Sequence, residues 1–211
     1  MKQYIKCLLY LILASCFSLV RAGAYEDFFK AIKADDAQTV QALLQRGLDP
    51  NSRDEQGQVA LYLTLREGAF KSAEVLLQHP QLQLDSANAA RETPLMMAAL
   101  KGHTEWCQRL IERGAKVQRD GWSPLLYAAT GPATAAVQLL LDKGAPIDAP
   151  SPRGDTALMM ATRYGTEASV NLLLRRGANT SLRNDRQQTA VDVARSFGRE
   201  FLVPQLGAGV K

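Results

Sequence analysis

Hydrophobic and small residues recur along the chain in a pattern that repeats every 30 to 33 residues. Each clear copy begins with a hydroxyl residue, then a proline or alanine, then an aliphatic residue, and the copies start at Thr93, Ser123, Thr156 and Thr189. In the first three copies, small residues follow five and six places later, and an aliphatic pair comes shortly before a Gly-Ala. This period predicts a chain of stacked supersecondary units rather than a single globular core.

Each copy predicts two short helices. In the best copy, Thr93 can cap a helix with its side-chain oxygen, and Pro94 suits the first helical position, where a missing N–H has no intrahelical acceptor. The first helix is predicted to end near Gly102 and the second near Gly114, because glycine readily takes the left-handed conformation that ends helices. One such unit cannot bury both faces of its helices, so the core is expected between stacked units.

The pattern resembles the ankyrin repeat, whose motif of Thr-Pro-Leu-His, Ala-Ala, Gly-His, Leu-Leu and Gly-Ala is matched best from Thr93 to Ala115. The resemblance implies an all-α ankyrin solenoid of about five repeats and a truncated C-terminal cap. Its units are expected at about 26–58, 59–92, 93–122, 123–155, 156–188 and 189–206. The His that the family places after the Leu is absent, which bears on the hydrogen bonds at the helix start and not on the fold. That position holds Met96, Leu126, Met159 and Asp192.

The first 24 residues differ from the repeats and predict an export signal. Two lysines precede an apolar run of 14 residues over 7–20, and Ala22-Gly23-Ala24 fits the small-x-small cleavage pattern of a secretory signal peptide. The run is shorter than the ~20 apolar residues of a membrane-spanning helix. We therefore expect a signal peptide over 1–24, an ankyrin domain over 25–206 and a periplasmic protein in a bacterium.

A lipoprotein is the second interpretation of the same segment. Leu13-Ala14-Ser15-Cys16 resembles the lipobox of bacterial lipoproteins, whose Cys is acylated and becomes the new N-terminus. The apolar run continues over 17–20, where lipoproteins usually have a polar tether, so soluble export is favoured over an anchor at Cys16. At the other end, residues 207–211 predict a flexible tail.

Export changes what the charge and the cysteines imply. The leader holds three basic residues and no acidic one, so the formal charge of +4 becomes +1 for the predicted mature chain. A near-neutral protein gives no general electrostatic reason to bind nucleic acid or anionic membranes. Cys107 is the one cysteine outside the leader, so no internal disulfide is possible, and we expect its thiol in the core.

The motifs of catalysis, metal binding and cofactor binding are missing from the sequence. Its two histidines, His79 and His103, lie in different repeats, and His103 follows Gly102 where the ankyrin resemblance implies a role in the turn between helices. One Cys and two separated His do not form a usual zinc site, and no GxxxxGK loop occurs. We expect a monomeric, non-catalytic protein without a cofactor, whose partner is another protein.

The resemblance also implies where that partner binds. In ankyrin proteins the partner usually contacts the concave face, at the hairpin tips before each Thr and at the outward positions late in the first helix. Trp, Tyr and Arg, which are enriched at binding hot spots, concentrate on the middle units. The expected contact residues are Glu92, Lys101, Arg119, Trp122, Arg153, Asp155, Arg163 and Tyr164. The alternative is a solvated face on which an Arg shields the Trp.

The connection before Ser123 departs from the regular period. It is three residues shorter than the connection before Thr156, which predicts a stunted hairpin and a notch beside Trp122. Some exported bacterial ankyrin proteins, which the chain resembles, are linked to oxidative stress defence, and others are immunity proteins that cap a secreted toxin. The sequence leaves both roles open. A small-ligand binder or an enzyme that uses the notch is the alternative from another class.

Overall fold

The computed structural model describes residues 23–207 of the chain. Short helices in pairs, joined by extended loops, make up nearly all of the regular structure, with one isolated antiparallel bridge between Arg53 and Val59. The helices are α1 over 23–33, α2 Ala37–Gln45, α3 Ala60–Glu67, α4 Phe70–Gln78, α5 Pro94–Lys101, α6 Thr104–Glu112, α7 Pro124–Thr130, α8 Thr134–Asp142, α9 Ala157–Tyr164, α10 Glu167–Arg175, α11 Ala190–Ser196, a 3₁₀ turn Glu200–Leu202 and α12 Val203–Gly207.

Most of the predicted leader and tail lies outside the described residues. The signal peptide over 1–24 reaches the described part only at residues 23 and 24, which belong to α1, and the lipidation at Cys16 lies wholly outside it. Gly207 ends α12, and the rest of the predicted tail lies outside as well. These assignments stay predictions. In the part of the chain that the structure describes, no helix is long and apolar enough to span a bilayer.

The chain divides into two compact units, of which the first ends at Leu82 and the second begins at Gln83. In the first unit, α2 and α3 pack on α4 around fully buried apolar side chains that include Ile32, Leu61 and Leu76. The Asp35 carboxylate accepts a 2.8 Å hydrogen bond from the backbone N–H of Ser72 at the start of α4. This bond satisfies one of the N–H groups that a helix start leaves without an intrahelical acceptor.

The second unit, which carries every predicted contact residue, is two rows of helices. The first helices α5, α7, α9 and α11 pack on one another in chain order, and α6, α8 and α10 form a second row behind them. Alanines lie where first helices meet, and Leu110, Leu140 and Leu173 fill the space between the rows without exposure to solvent. Full burial of one such leucine side chain stabilises the fold by about 1.5–3 kcal/mol. Cys107 is also fully buried, which confirms the prediction for its thiol.

Side-chain caps begin the first helices of this unit, as predicted. Thr93, Ser123, Thr156 and Thr189 each accept a hydrogen bond from the backbone N–H three residues later, at 3.3–3.4 Å. At the position of the family's His, Asp192 accepts bonds from the Thr189 N–H and hydroxyl at 2.9 and 2.8 Å. These bonds hold the pKa of Asp192 below its usual value. Asp192 therefore completes a capping box without the His.

Three hairpin tips in this unit share one hydrogen-bonding pattern. Asn88, Ser151 and Asn184 each donate a backbone N–H to the carbonyl four residues later, at 2.9–3.1 Å. Their side-chain oxygens accept the N–H of that same residue. Residues 116–122, by contrast, pass through bends without a hydrogen-bonded turn, which confirms the stunted hairpin.

Candidate protein-binding surface

Two exposed aromatic rings lie together where α9 and α11 end. Tyr164, the last residue of α9, is 58% exposed, and Phe197, which follows α11, is 47% exposed. Their ring centroids are 5.9 Å apart in an edge-to-face arrangement at 73°. Paired exposed aromatic rings are unusual on a soluble surface and are typical of places where a protein binds a partner.

Arg163 lies beside both rings. Its guanidinium carbon is 5.8 Å from the centroid of Tyr164 and 5.1 Å from that of Phe197, within the range of cation–π attraction. We call Arg163, Tyr164 and Phe197 the aromatic surface. Arg and Tyr are among the residue types enriched at hot spots, so the composition of this surface suits a protein interface.

A nearly buried ion pair fixes Arg163 in place. Its two terminal nitrogens donate to the two carboxylate oxygens of Asp155, each at 3.3 Å, and the side chains are 12% and 7% exposed. Asn184 Nδ2, which is also buried, donates to the same carboxylate at 2.8 Å. A two-point pair of this kind orients the guanidinium as well as neutralising it. Asp155, one of the predicted contact residues, thus lies behind the aromatic surface and supports it.

A pocket of about 360 Å³ adjoins this pair at the tips of two successive hairpins. It is lined by Arg153, Asp155, Arg163, Asn184, Asp185 and Arg186. We call it the arginine pocket. Arg163 belongs to both the aromatic surface and the arginine pocket, so the two features are continuous.

The remaining predicted contact residues lie toward the earlier repeats of the second unit. Glu92 accepts hydrogen bonds from Asn88 Nδ2 and from the Tyr127 hydroxyl, both at 2.8 Å. Trp122 is half-buried, with its ring edge-to-face against Tyr127 at 6.0 Å. Lys101 and Arg153 are exposed, and Arg119 is half-buried. The structure thus gathers Arg153, Asp155, Arg163 and Tyr164 around one site, while Glu92 and Trp122 both contact Tyr127.

Sequence reasoning missed the aromatic residues of the C-terminal cap. Phe197 lies eight residues after Thr189, as Tyr164 lies eight residues after Thr156, so the repeat register was one signal for it. Phe201, four residues further on, is 58% exposed. Arg199 donates from Nη1 to the carbonyls of Ala161, Thr162 and Gly165 at 2.9–3.1 Å, so the cap closes the end of α9. A terminal repeat is expected to present a polar outer face. Large apolar residues in this cap were therefore a signal in the sequence that the surface here binds something.

The described residues hold neither a metal-binding cluster nor a reactive thiol. No group of three or more His, Cys, Asp and Glu side chains in residues 23–207 could hold a metal ion. Burial raises the pKa of the Cys107 thiol to about 12, so the thiol keeps its proton at neutral pH. Since the thiolate is the nucleophile, Cys107 is a core residue and not a reactive one.

We expect Cys107 to resist thiol reagents while the chain is folded. At mildly alkaline pH, the native protein and its Cys107→Ala variant should release the same amount of thionitrobenzoate from Ellman's reagent, because the leader cysteines are common to both. In concentrated guanidinium chloride the counts should differ by one thiol. A one-thiol difference between the two native proteins would contradict the burial of this side chain.

Comparison with known proteins identifies the fold. The sequence model of ankyrin repeats in three copies matches residues 28–120, 81–151, 116–184 and 133–206. The chain belongs to the ankyrin repeat family. The predicted all-α ankyrin solenoid is thereby confirmed, and the chain carries a protein–protein interaction module.

Curated ankyrin repeat relatives are much longer than the matched region. The B-cell lymphoma 3 protein homolog of Mus musculus is 32% identical over 133 residues, 60% of this chain and 30% of that protein. The transient receptor potential cation channel subfamily A member 1 homolog of Caenorhabditis elegans is 32% identical over 111 residues, 52% of this chain and 9% of that protein. This chain therefore spans less than a third of either relative.

Two solved structures resemble this chain over most of its length. One is a chain of the complex between the Bd0816 predatory endopeptidase of Bdellovibrio bacteriovorus and immunity protein Bd3460, with a TM-score of 0.74 and 27% identity. The match covers 86% of this chain and 97% of that one. The other is the ankyrin repeat domain of Bcl-3, of the IkappaB protein family, with a TM-score of 0.66, 32% identity and 80% and 77% coverage.

Proposed function

We propose that this protein is a non-catalytic binding module that holds another protein through the face formed by its first helices and hairpin tips. The observation that supports the proposal best is the aromatic surface. Two half-exposed rings flank an arginine that a buried carboxylate holds in place, so little side-chain freedom is lost when a partner binds. By the family resemblance, this face is the concave one.

We extend the proposal to export, with the periplasm as the place of action. Its support comes from the leader over 1–24, with its basic start, short apolar run and small-x-small end. A partner would then be a protein of the same compartment. Soluble export remains the favoured form, and an anchor at Cys16 is the alternative.

If the chain is exported, we propose that its partner is an exported enzyme that this chain keeps inactive. The supporting observation is the similarity to one chain of an endopeptidase–immunity protein complex. The match covers 97% of that chain. A role beside oxidative stress defence lacks a comparable observation. The enzyme is expected to be a hydrolase, and its activity should fall as this chain is added.

Affinity capture with a surface variant tests the proposal. The full chain is immobilised and exposed to exported proteins of the organism that encodes it, beside a Tyr164→Ala, Phe197→Ala double variant. Both rings are about half exposed, so their removal should leave the fold intact. We expect the variant to retain at least ~10-fold less of the partner, since truncation of a hot-spot residue to alanine costs about 2 kcal/mol or more of binding free energy.

Phe70→Ala provides the matched control, because Phe70 is an exposed aromatic residue on α4. This variant should capture as much partner as the unmodified chain. The hydrolase activity of the captured partner is then measured with and without added chain. Equal capture by the double variant would contradict the proposed surface, and undiminished hydrolase activity would contradict the inhibitory role.

A further inference from the structure

The arginine pocket has more guanidinium groups than carboxylates. Arg153, Arg163 and Arg186 line it together with Asp155 and Asp185. Asp155 is already bonded to Arg163 and to Asn184 inside the protein. Arg153 and Arg186 form no ion pair with any described residue. The groups that remain to meet a ligand are therefore mostly hydrogen-bond donors with positive charge.

Backbone hydrogen bonds hold the two hairpin tips that carry these arginines. Asp185 donates its N–H to the carbonyl of Arg153 at 3.1 Å, which joins one tip to the next. Arg153 donates its N–H to Ser151 Oγ at 3.2 Å, and Arg186 donates its N–H to Asn184 Oδ1 at 3.0 Å. The pocket is thus formed before any ligand arrives, and binding does not have to order the loops.

Arg163 has a free donor inside this structure. Its Nε is buried and has no hydrogen-bond acceptor among the described residues, while both terminal nitrogens donate to Asp155. A guanidinium carries five N–H donors in a rigid fork, so two bonds to one carboxylate leave others for a second acceptor. Because Nε is enclosed by the protein, an acceptor that enters the pocket would bond to the second N–H of a terminal nitrogen instead.

We propose that the arginine pocket binds one carboxylate of the partner, next to an apolar side chain that packs on the aromatic surface. The inference deepens the proposed function and rests on the partner being a protein. Guanidinium groups bind carboxylates by charge-assisted hydrogen bonds, often at two points. The two aspartates in the lining disfavour a doubly charged phosphate. A volume of about 360 Å³ suits one side chain or one chain terminus.

The carboxylate can come from an Asp or Glu side chain or from a C-terminus, and two synthetic peptides distinguish these sources. The first is acetyl-Gly-Ser-Asp-Phe-Gly-Ser-amide, with an internal carboxylate beside a ring. The second is acetyl-Gly-Ser-Gly-Phe with a free C-terminus. Acetyl-Gly-Ser-Asn-Phe-Gly-Ser-amide is the uncharged control. Each is titrated into the full chain by calorimetry, and the arginine Nε–H signals are followed by NMR.

We expect saturable binding of at least one carboxylate peptide, and at least ~10-fold weaker binding of the amide control. The peptide that binds more tightly identifies the source of the carboxylate. An Arg153→Gln, Arg186→Gln double variant should weaken binding of that peptide at least ~10-fold. Both side chains are exposed, so this variant should fold. Arg175→Gln, which changes an exposed arginine on α10 outside the pocket, should bind within about twofold of the unmodified chain.

Equal binding of the charged and uncharged peptides, or no saturable binding of either carboxylate peptide, would overturn the assignment. These results leave the proposed function standing if the Tyr164→Ala, Phe197→Ala variant still loses its partner in the capture experiment. The opposite result is also possible. If a carboxylate peptide binds but the Tyr164→Ala, Phe197→Ala variant still captures the partner, the carboxylate site stands and the proposed interface is wrong. The two proposals therefore fail by different results.

Discussion

Gly165→Ala should destabilise the second unit by about 3 kcal/mol, at the upper end of the cost of overpacking a core. Gly165 follows α9 with a φ of −83°, so backbone strain is not the cause. A Cβ at this position would lie 2.2 Å from the carbonyl oxygen of Ala129 and 2.9 Å from the Cα of Ala161. These are backbone atoms of α7 and α9, so no rotamer change can relieve the clash. The two helices would have to move apart.

The cost can be measured by urea unfolding followed by far-ultraviolet circular dichroism, with Gly144→Ala as the control. Gly144 has a φ of +85°, but no heavy atom lies within 4 Å of its Cβ position. Gly144→Ala should therefore lower the free energy of unfolding only by the ~1–2 kcal/mol that an alanine costs in the left-handed conformation. If Gly165→Ala unfolds at the same urea concentration as Gly144→Ala, α7 does not lie close enough to Gly165 to exclude a Cβ.

Asp155→Ala should cost about 3 kcal/mol, because removal of one partner leaves a nearly buried charge unpaired. Arg163 would lose both of its hydrogen-bond acceptors, and Asn184 Nδ2 would lose one. Arg163 is also the residue that joins the aromatic surface to the arginine pocket. We therefore expect Asp155→Ala to weaken partner capture as well as stability, although its own carboxylate is buried.

A double-mutant cycle separates the pair from its surroundings. Asp155→Ala, Arg163→Ala and the double variant are compared by urea unfolding, and the double variant should be more stable than the sum of the single changes predicts. Arg176→Ala, which removes an exposed ion pair with Asp142, should change stability by less than ~1 kcal/mol. Strictly additive losses at Asp155 and Arg163 would show that the ion pair has no interaction free energy of its own.

The architecture of this protein could be predicted from its sequence because its determinants are local. Capping hydroxyls, helix-ending glycines and alanines at regular offsets each act within one repeat, and stacking then follows from the need to bury both helices. The same reasoning found the shortened connection before Ser123 and the buried thiol of Cys107. Each of these features depends on neighbours that the repeat period already identifies.

The composition of the binding surface depends instead on contacts between side chains from different repeats. Tyr164 and Phe197 occupy the same position in successive repeats, 33 residues apart, and the packing of α11 on α9 brings their rings together. The hairpin position of Asp155 predicts a side chain that contacts a partner. In the structure, Arg163 and Asn184 bind its carboxylate instead. Burial is a property of neighbours in space, and a periodic sequence does not specify which charged side chains will pair.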